Sequence, residues 1–390
     1  MSQPRIALYS HDTLGLGHIR RNLSIATALA ETKLRPTSLL ITGAREAASF
    51  SLPPGVDCLS LPAVGKSDNG DYHSRRLSVP FSDLIELRSE TIYAGLKSFK
   101  PDLLIVDKVP LGAFGELLKS LDYLRQGRQT RIVLGLRDIL DESAAARREW
   151  SDMGYERAIH EFYDAVWVYG DPLIFNPVRE YSFSLQIQSK IRYTGYLCRA
   201  DKLLIETLDT QAKMKDLPDN FALCLLGGGQ DGYRLGSVFA QSSLPPEMSS
   251  VIVAGPYMPP GARQRLHEEA AGRSHVSVLD FVAEPEPLLK KSTRVIAMGG
   301  YNTMCDILAL HKSALIVPRI APRQEQYIRA KLFSNLGLID LLHPSDLEPG
   351  RLENWLSAPA HEQHYQLSRP YIDGLRRVAT LTGTLLNRPV

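Results

Sequence analysis

The chain has 390 residues, too many for one ordinary hydrophobic core and enough for two domains. A hydrophobic share of 44% and a charged share of 23% are those of a folded globular enzyme and exclude a disordered chain. The net charge of +2 is too small to argue for nucleic acid, and no apolar run has the length of a signal peptide or a membrane span. A cytoplasmic protein is therefore expected, one that could still touch the inner face of a membrane peripherally. Cys58, Cys198, Cys224 and Cys305 lack CxxC spacing and read as reduced thiols.

The first predicted strand, residues 5–9, runs into a turn that reads Gly15-Leu16-Gly17-His18-Ile19-Arg20-Arg21. An amphipathic helix with Leu23, Ile25, Ala26 and Leu29 follows. A dinucleotide fingerprint would need a third glycine where Arg20 stands, and an acid where the second strand ends in Thr42-Gly43-Ala44. Both are missing, so NAD binding is excluded. What remains is a histidine at a glycine-rich helix start, on the edge of the sheet where such folds bind ligands. His18 could act as a base, or could cap the helix or hold an anion, and His11 is its rival two turns earlier.

Further strands are predicted at 37–42, 58–61, 103–106, 131–136 and 165–168, with helical periods between most of them. Asp107 ends the fourth of the strands so far and opens on the same sheet edge as His18, which would let it orient the imidazole. A strand-end Asp capping its own turn is the alternative. Arg137-Asp138 opens on that edge too and ranks below Asp107. Residues 63–82, rich in Ser, Asp, Asn and Gly without a period, read as a long loop, either an acceptor-binding flap or disorder.

A second series of strands is predicted at 221–226, 249–254, 276–279, 294–297 and 314–317. Two series of strands alternating with helices predict an α/β protein with two Rossmann-like, doubly wound parallel sheets. The boundary falls near residues 193–197, and a polar helix at 201–215 opens the second domain. The tail is expected to be helical over about 365–385. The expected division is 1–198 for the first domain, 199–364 for the second and 365–390 for the tail.

The chemistry of the second series lies in its turns. Gly227, Gly228 and Gly229, followed by Gln230, let backbone N–H groups approach a diphosphate. The strand at 294–298 stops at Gly299-Gly300, and after Tyr301 and Asn302 a helix is expected from Thr303. Its free N–H groups would face a phosphate, and Asp306, about one turn in, could accept hydrogen bonds from a ribose diol. Glu325 beside Gln326 suits the adjacent hydroxyls of a sugar. Together these features read as a nucleotide-sugar site. The alternative for Glu325-Gln326 is a solvated loop between two βα units. Metal ligation has little support: no DxD occurs, and His361-Glu362-Gln363-His364 is not HExxH.

These segments resemble the GT-B glycosyltransferases of the MurG-like group, glycosyltransferase family 28. The resemblance implies two Rossmann-like domains facing a cleft, with the C-terminal helix crossing back to the first. It gives Asp306 the place of the ribose-binding acid and Glu325 with Gln326 that of the sugar-hydroxyl pair. Gly17 and His18 match the G-x-G-H turn, which makes His18 the base, and Asp107 stands where some relatives support that histidine. Thr194-Gly195 with Arg199 resembles the T-G-x-P-x-R hinge, with Leu197 in the proline's place, and implies that Arg199 neutralises the leaving diphosphate. An ordinary linker arginine is the alternative. Val282 matches the position whose backbone reads the base. The chain departs from the group's pattern at Gly229, where a serine is usual.

The implied activity is inverting, metal-independent transfer from a nucleotide diphosphate-sugar, a UDP-sugar first among them, to a glycan or lipid-linked hydroxyl acceptor. No cofactor beyond that co-substrate is expected. Two alternatives stay open. One is a UDP-sugar hydrolase like that of pseudaminic acid synthesis, whose G-x-G-H-x-x-R turn fits Gly15, Gly17, His18 and Arg21. The other is a non-catalytic nucleotide-sugar sensor.

Overall fold

The computed structural model describes residues 3–11, 15–66, 72–127, 129–199, 208–359 and 370–388. The chain divides into two compact units, Met1–Leu197 with Pro370–Val390, and Cys198–Arg369. The first unit begins with β1 (Arg5–Ser10), α1 (Gly17–Ala30), β2 (Thr37–Thr42) and β3 (Val56–Ser60). Then come β4 (Val64–Lys66), β5 (Tyr72–Ser74), α2 (Phe81–Phe99), β6 (Leu103–Asp107) and α3 (Leu118–Gly127). It continues with β7 (Arg131–Arg137), α4 (Ser143–Asp152), α5 (Tyr155–Phe162) and β8 (Ala165–Tyr169), then α6 (Pro177–Glu180), α7 (Leu185–Lys190) and β9 (Ile191–Tyr193).

Its main sheet has the order β3-β2-β1-β6-β7-β8-β9, every neighbouring pair parallel. Strands covered by helices on both faces must be apolar at successive positions, and Ile6 to Tyr9 and Leu103 to Val106 are all fully buried. Chain order reverses between β1 and β6, where Tyr9 pairs with Val106. The segments leaving these two strands therefore emerge side by side at the switch point, where open α/β sheets form a crevice.

The second unit contains α8 (Leu208–Lys215), β10 (Phe221–Leu225), α9 (Tyr233–Gln241), β11 (Ser249–Val253), α10 (Pro260–Ala271) and β12 (Val276–Leu279). It goes on through α11 (Glu286–Lys291), β13 (Arg294–Ala297), α12 (Tyr301–Ala309) and β14 (Ala314–Ile316). It closes with α13 (Glu325–Asn335), β15 (Asp340–Leu341) and α14 (Pro349–Ser357). The sheet order is β12-β11-β10-β13-β14-β15, again all parallel, and it reverses between β10 and β13. The last helix, α15 (Gly374–Leu386), belongs to the first unit and packs on α1 through a face that includes Leu375, Val378 and Ala379.

Three local expectations are corrected. Residues 63–82 are not one structureless loop, because β4 and β5 pair antiparallel with His73 opposite Gly65. Three-residue strands carry no readable period, and the His73 ring fills the space a side chain at position 65 would need. Residues 67–71, between those strands, lie outside the described residues. The tail helix starts at Gly374, since after Pro370 the chain stays extended and Tyr196 donates its N–H to the Tyr371 carbonyl (2.7 Å). α12 starts at Tyr301, two residues before Thr303, with Gly300 at its N-cap. The expected boundary at 364/365, the His361–His364 pair and the first part, 201–207, of the helix expected at 201–215 also lie outside the described residues. No helix among the described residues is long and apolar enough to cross a membrane.

Candidate functional site

At the first switch point α1 begins immediately after the glycine turn, so His18 occupies its second position and Arg21 follows one turn later. Three-residue spacing puts both side chains on one helix face. That face meets the end of β6. His18 Nδ1 hydrogen-bonds Asp107 Oδ2, while Arg21 donates from Nε to Oδ1 (2.9 Å) and from Nη2 to Oδ2 (2.5 Å). Asp107 is fully buried, and the two-pronged guanidinium contact supplies the charge that makes such burial tolerable. Burial alone would raise the Asp107 carboxyl, but Arg21 and His18 outweigh it and hold it well below the usual carboxylate range.

An ionised Asp107 can only accept, so Nδ1 of His18 carries the proton and Nε2 keeps its lone pair. Burial pushes His18 down to about 4; Asp107 pulls the other way, and Arg21 and Lys108 add to the fall. The imidazole is therefore neutral at ordinary pH. Its side chain keeps 14% of its exposure, so it is reachable from one side. His11 stands edge-on to it with ring centroids 4.1 Å apart. Burial, His18 and Lys108 also hold His11 well below its ordinary value. Among the described residues its Nδ1 has no hydrogen-bond partner, and no carboxylate there fixes its tautomer as Asp107 fixes that of His18. Asp138, the lower-ranked acid, is buried and accepts from the Ile139 N–H (2.8 Å), which is a turn-capping arrangement.

At the second switch point, Gly227–Gly229 leave β10 and Gly299–Gly300 leave β13, the adjacent strand. Gly229 has φ +90°, and a Cβ there would lie 2.3 Å from the Ala254 carbonyl oxygen. That contact gives a physical reason for glycine where a serine is usual: a side chain would break the packing of this loop on the end of β11. Gly299, at φ +73°, would drive a Cβ to 2.6 Å from Ile316. No side chain caps α12 and its first turn carries no acid, which leaves the positive end of its dipole uncompensated by the helix's own side chains. Gln230 is exposed, Asn302 and Thr303 are half-buried, and Tyr301 is buried with the Arg329 guanidinium over its ring at 5.5 Å. Val282 is buried just beyond β12.

Asp306 is buried on α12, and its Oδ1 stands 3.8 Å from Arg199 Nη2. Arg199 also pairs with Glu284 Oε2 (3.2 Å) and with Glu286. Those two carboxylates keep only 1% of their exposure and Arg199 12%. Arg199, expected to neutralise the leaving diphosphate, is thus engaged by three acids in this structure. Its charge offsets the cost of burying these acids. Glu325 opens α13, and both it and Gln326 turn toward Arg319: Gln326 Oε1 accepts from the Arg319 N–H (3.2 Å), and Glu325 Oε1 accepts from Arg319 Nη2 (3.5 Å).

Three members of these clusters, Arg21, Arg319 and Asp231, were given no role by the sequence. Arg21 was readable in principle, from its three-residue spacing to His18. Arg319 and its partner Asp231 were not, because they join loops 88 residues apart and no local pattern signals the pairing.

Residues 247–374 match the model of the glycosyltransferase family 28 C-terminal domain. An uncharacterized glycosyltransferase of Methanosarcina mazei is 24% identical over 66% of this chain and 64% of its own length. The chain thus spans less than two thirds of that relative. The UDP-N-acetylglucosamine–N-acetylmuramyl-(pentapeptide) pyrophosphoryl-undecaprenol N-acetylglucosamine transferase of Haemophilus influenzae is 28% identical over 24% of this chain and 26% of its own. Among solved structures, the calicheamicin glycosyltransferase CalG4 superposes with a TM-score of 0.58 at 15% identity, covering 100% of this chain and 99% of that one. A UDP-GlcNAc 2-epimerase of Methanocaldococcus jannaschii, in complex with UDP-GlcNAc and UDP, gives 0.60 at 13% identity over 98% and 99%. The fold is that of the GT-B proteins, two parallel-sheet α/β domains in one chain.

Proposed function

Taking the chain as a MurG-like GT-B protein of glycosyltransferase family 28, we propose that it moves a sugar from a nucleoside diphosphate sugar to a hydroxyl acceptor. A UDP-sugar is the donor and a glycan or lipid-linked molecule the acceptor. The observation that carries this reading is the Arg21–Asp107–His18 array at the first switch point, which presents a neutral imidazole with Nε2 free to take a proton. In this reading the second unit binds the donor through its glycine turns and Asp306. The acceptor oxygen forms its bond to the anomeric carbon as its proton passes to His18 Nε2. The anomeric carbon–oxygen bond breaks with its electron pair going to the diphosphate, which inverts the carbon. Helix N–H groups and side-chain cations would stabilise that charge without a metal ion. The protein works in the cytoplasm, in peripheral contact with the membrane when the acceptor is lipid-linked.

The test is nucleotide release from a panel of nucleoside diphosphate sugars, with and without glycan or lipid extract, in the presence and absence of EDTA. Release that requires acceptor and survives EDTA is expected. The Gly15–Arg21 spacing also favours a second reading, a UDP-sugar hydrolase, and full-rate UDP release in water alone would select it. Conversion of one UDP-sugar into another without net UDP release would instead point to the chemistry named for the epimerase neighbour.

A further inference from the structure

We propose that Arg319 is the cation that holds the donor diphosphate in the second unit, and that Asp231 holds Arg319 in place until the diphosphate arrives. The proposal rests on the nucleotide-sugar reading above. Arg319 follows β14 and Asp231 follows β10, and β13 lies between those two strands. Neighbouring strands stand about 4.8 Å apart, so the two loops leave the sheet about 10 Å apart. The Arg319 Nη1–Asp231 Oδ2 pair (3.1 Å) therefore bridges across the end of β13, from which Gly299 and Gly300 lead into α12. A phosphate set against this turn would have the α12 N-terminus on one side and a guanidinium fork beside it, a geometry that suits phosphate oxygens.

The cost of releasing each arginine decides between the two candidates. If Arg199 turned to a phosphate it would break its close contacts with Glu284 and Glu286, whose side chains keep 1% of their exposure, and breaking a buried ion pair is strongly disfavoured. If Arg319 did so it would abandon Asp231, whose side chain is 47% exposed and would be solvated at once, and its contact with the buried Glu325 is a long one that Nη2 can keep while Nη1 turns to the phosphate. Arg319 itself is 28% exposed, so its guanidinium already has an open side. Its other contacts keep it near the turn rather than competing for it. The backbone N–H is held by Gln326, and the contact of Nη2 with Glu325 is long, at 3.5 Å.

The experiment is a calorimetric comparison of UDP with uridine, which lacks phosphate, on the full chain and on Arg319→Ala, Arg319→Lys and Asp231→Asn. For Arg319→Ala we expect UDP affinity to fall ten- to a hundredfold while uridine affinity stays unchanged, and Arg319→Lys should recover part of the loss. Asp231→Asn removes the competing carboxylate and should raise UDP affinity severalfold, whether or not Arg319→Ala folds. Equal losses for UDP and uridine would make Arg319 a structural residue and overturn the proposal. So would weaker UDP binding by Asp231→Asn. If the unaltered chain binds UDP and Arg319→Ala binds it equally well, the proposal falls and the nucleotide-sugar reading stands. If the unaltered chain binds none of UDP, GDP, CDP, ADP or dTDP, both fall.

Discussion

In the first unit, the glycine turn opens a helix whose first two turns bring His18 and Arg21 to one buried carboxylate, Asp107. In the second, the glycine turn opens α12 with Tyr301, Asn302 and Thr303 and no charge in its first turn, while the nearby charges stand on separate loops. The same strand–turn–helix unit therefore serves two tasks. Where a proton must move, a single histidine has its tautomer and its pKa set by fixed neighbours. On the proposed reading, a diphosphate bound and released at the second turn meets backbone donors there, with compensating charge placed where it can be exchanged. On that reading, a ligand that comes and goes is better met by Arg319, whose close partner is solvated, than by Arg199, whose close partners are buried.

The largest expected effect tests that last contrast. Arg199→Met removes the cation from Glu284, Glu286 and Asp306, and breaking a buried ion pair costs about 3–5 kcal/mol. Chemical denaturation should register a loss of that order. An unchanged midpoint, together with a selective loss of UDP over uridine, would return Arg199 to the diphosphate and collapse the distinction between the two arginines. Next is His18→Ala. Its turnover should fall about a hundredfold or more, the contribution of a positioned base, with UDP affinity preserved because the donor is bound by the other unit. A variant that loses UDP binding but keeps its rate per bound donor would make His18 a phosphate ligand. Smaller again is Asp306→Ala, expected to weaken UDP binding by about 1–3 kcal/mol through lost hydrogen bonds. Equal affinities by calorimetry would remove Asp306 from the ribose and leave it as a partner of Arg199.

The legible part of the molecule is the part encoded locally. Two-sided burial makes Ile6 to Tyr9 and Val295 to Ala297 continuous apolar runs, and such runs between helical periods give away doubly wound parallel sheets before any contact is known. His18 was conspicuous for the same reason, since a helix start fixes where its side chain emerges. Asp107 needed one more step, the rule that parallel strands open on a common edge. Arg199 shows where this reasoning ends. Its environment is made by Glu284 and Glu286, some 85 residues on, and three acids closing around one guanidinium leave no mark in the sequence. The β4–β5 pair was hidden by its shortness, and the late start of α15 by the extended pairing of Tyr196 with Tyr371.

The finest test of the comparison is pH, which should act on the first unit's array. His18 is held at about 4 in the folded chain, below its ordinary 6.5, so the unfolded chain binds more protons between those values. Its contribution to stability is thus complete above 6.5, declines as the pH falls toward 4, and changes no further below that. His11, also pushed down by burial, acts in the same direction. Asp107, held low by Arg21 and His18, loses its contribution as the pH falls from its ordinary value of 3.8 to well beneath it. Denaturation midpoints at pH 7, 5.5 and 4 should therefore fall more steeply for the unaltered chain than for His18→Gln, which has no proton to gain and whose amide can still donate to Asp107. The rate should follow the same group: a base that must be neutral gives kcat/KM an acid limb near 4 instead of 6.5. A limb at 6.5, or a stability slope identical in His18→Gln, would mean that the imidazole is not held neutral by its surroundings. His18 would then be a base of ordinary pKa, its protonation set by solvent and not by burial.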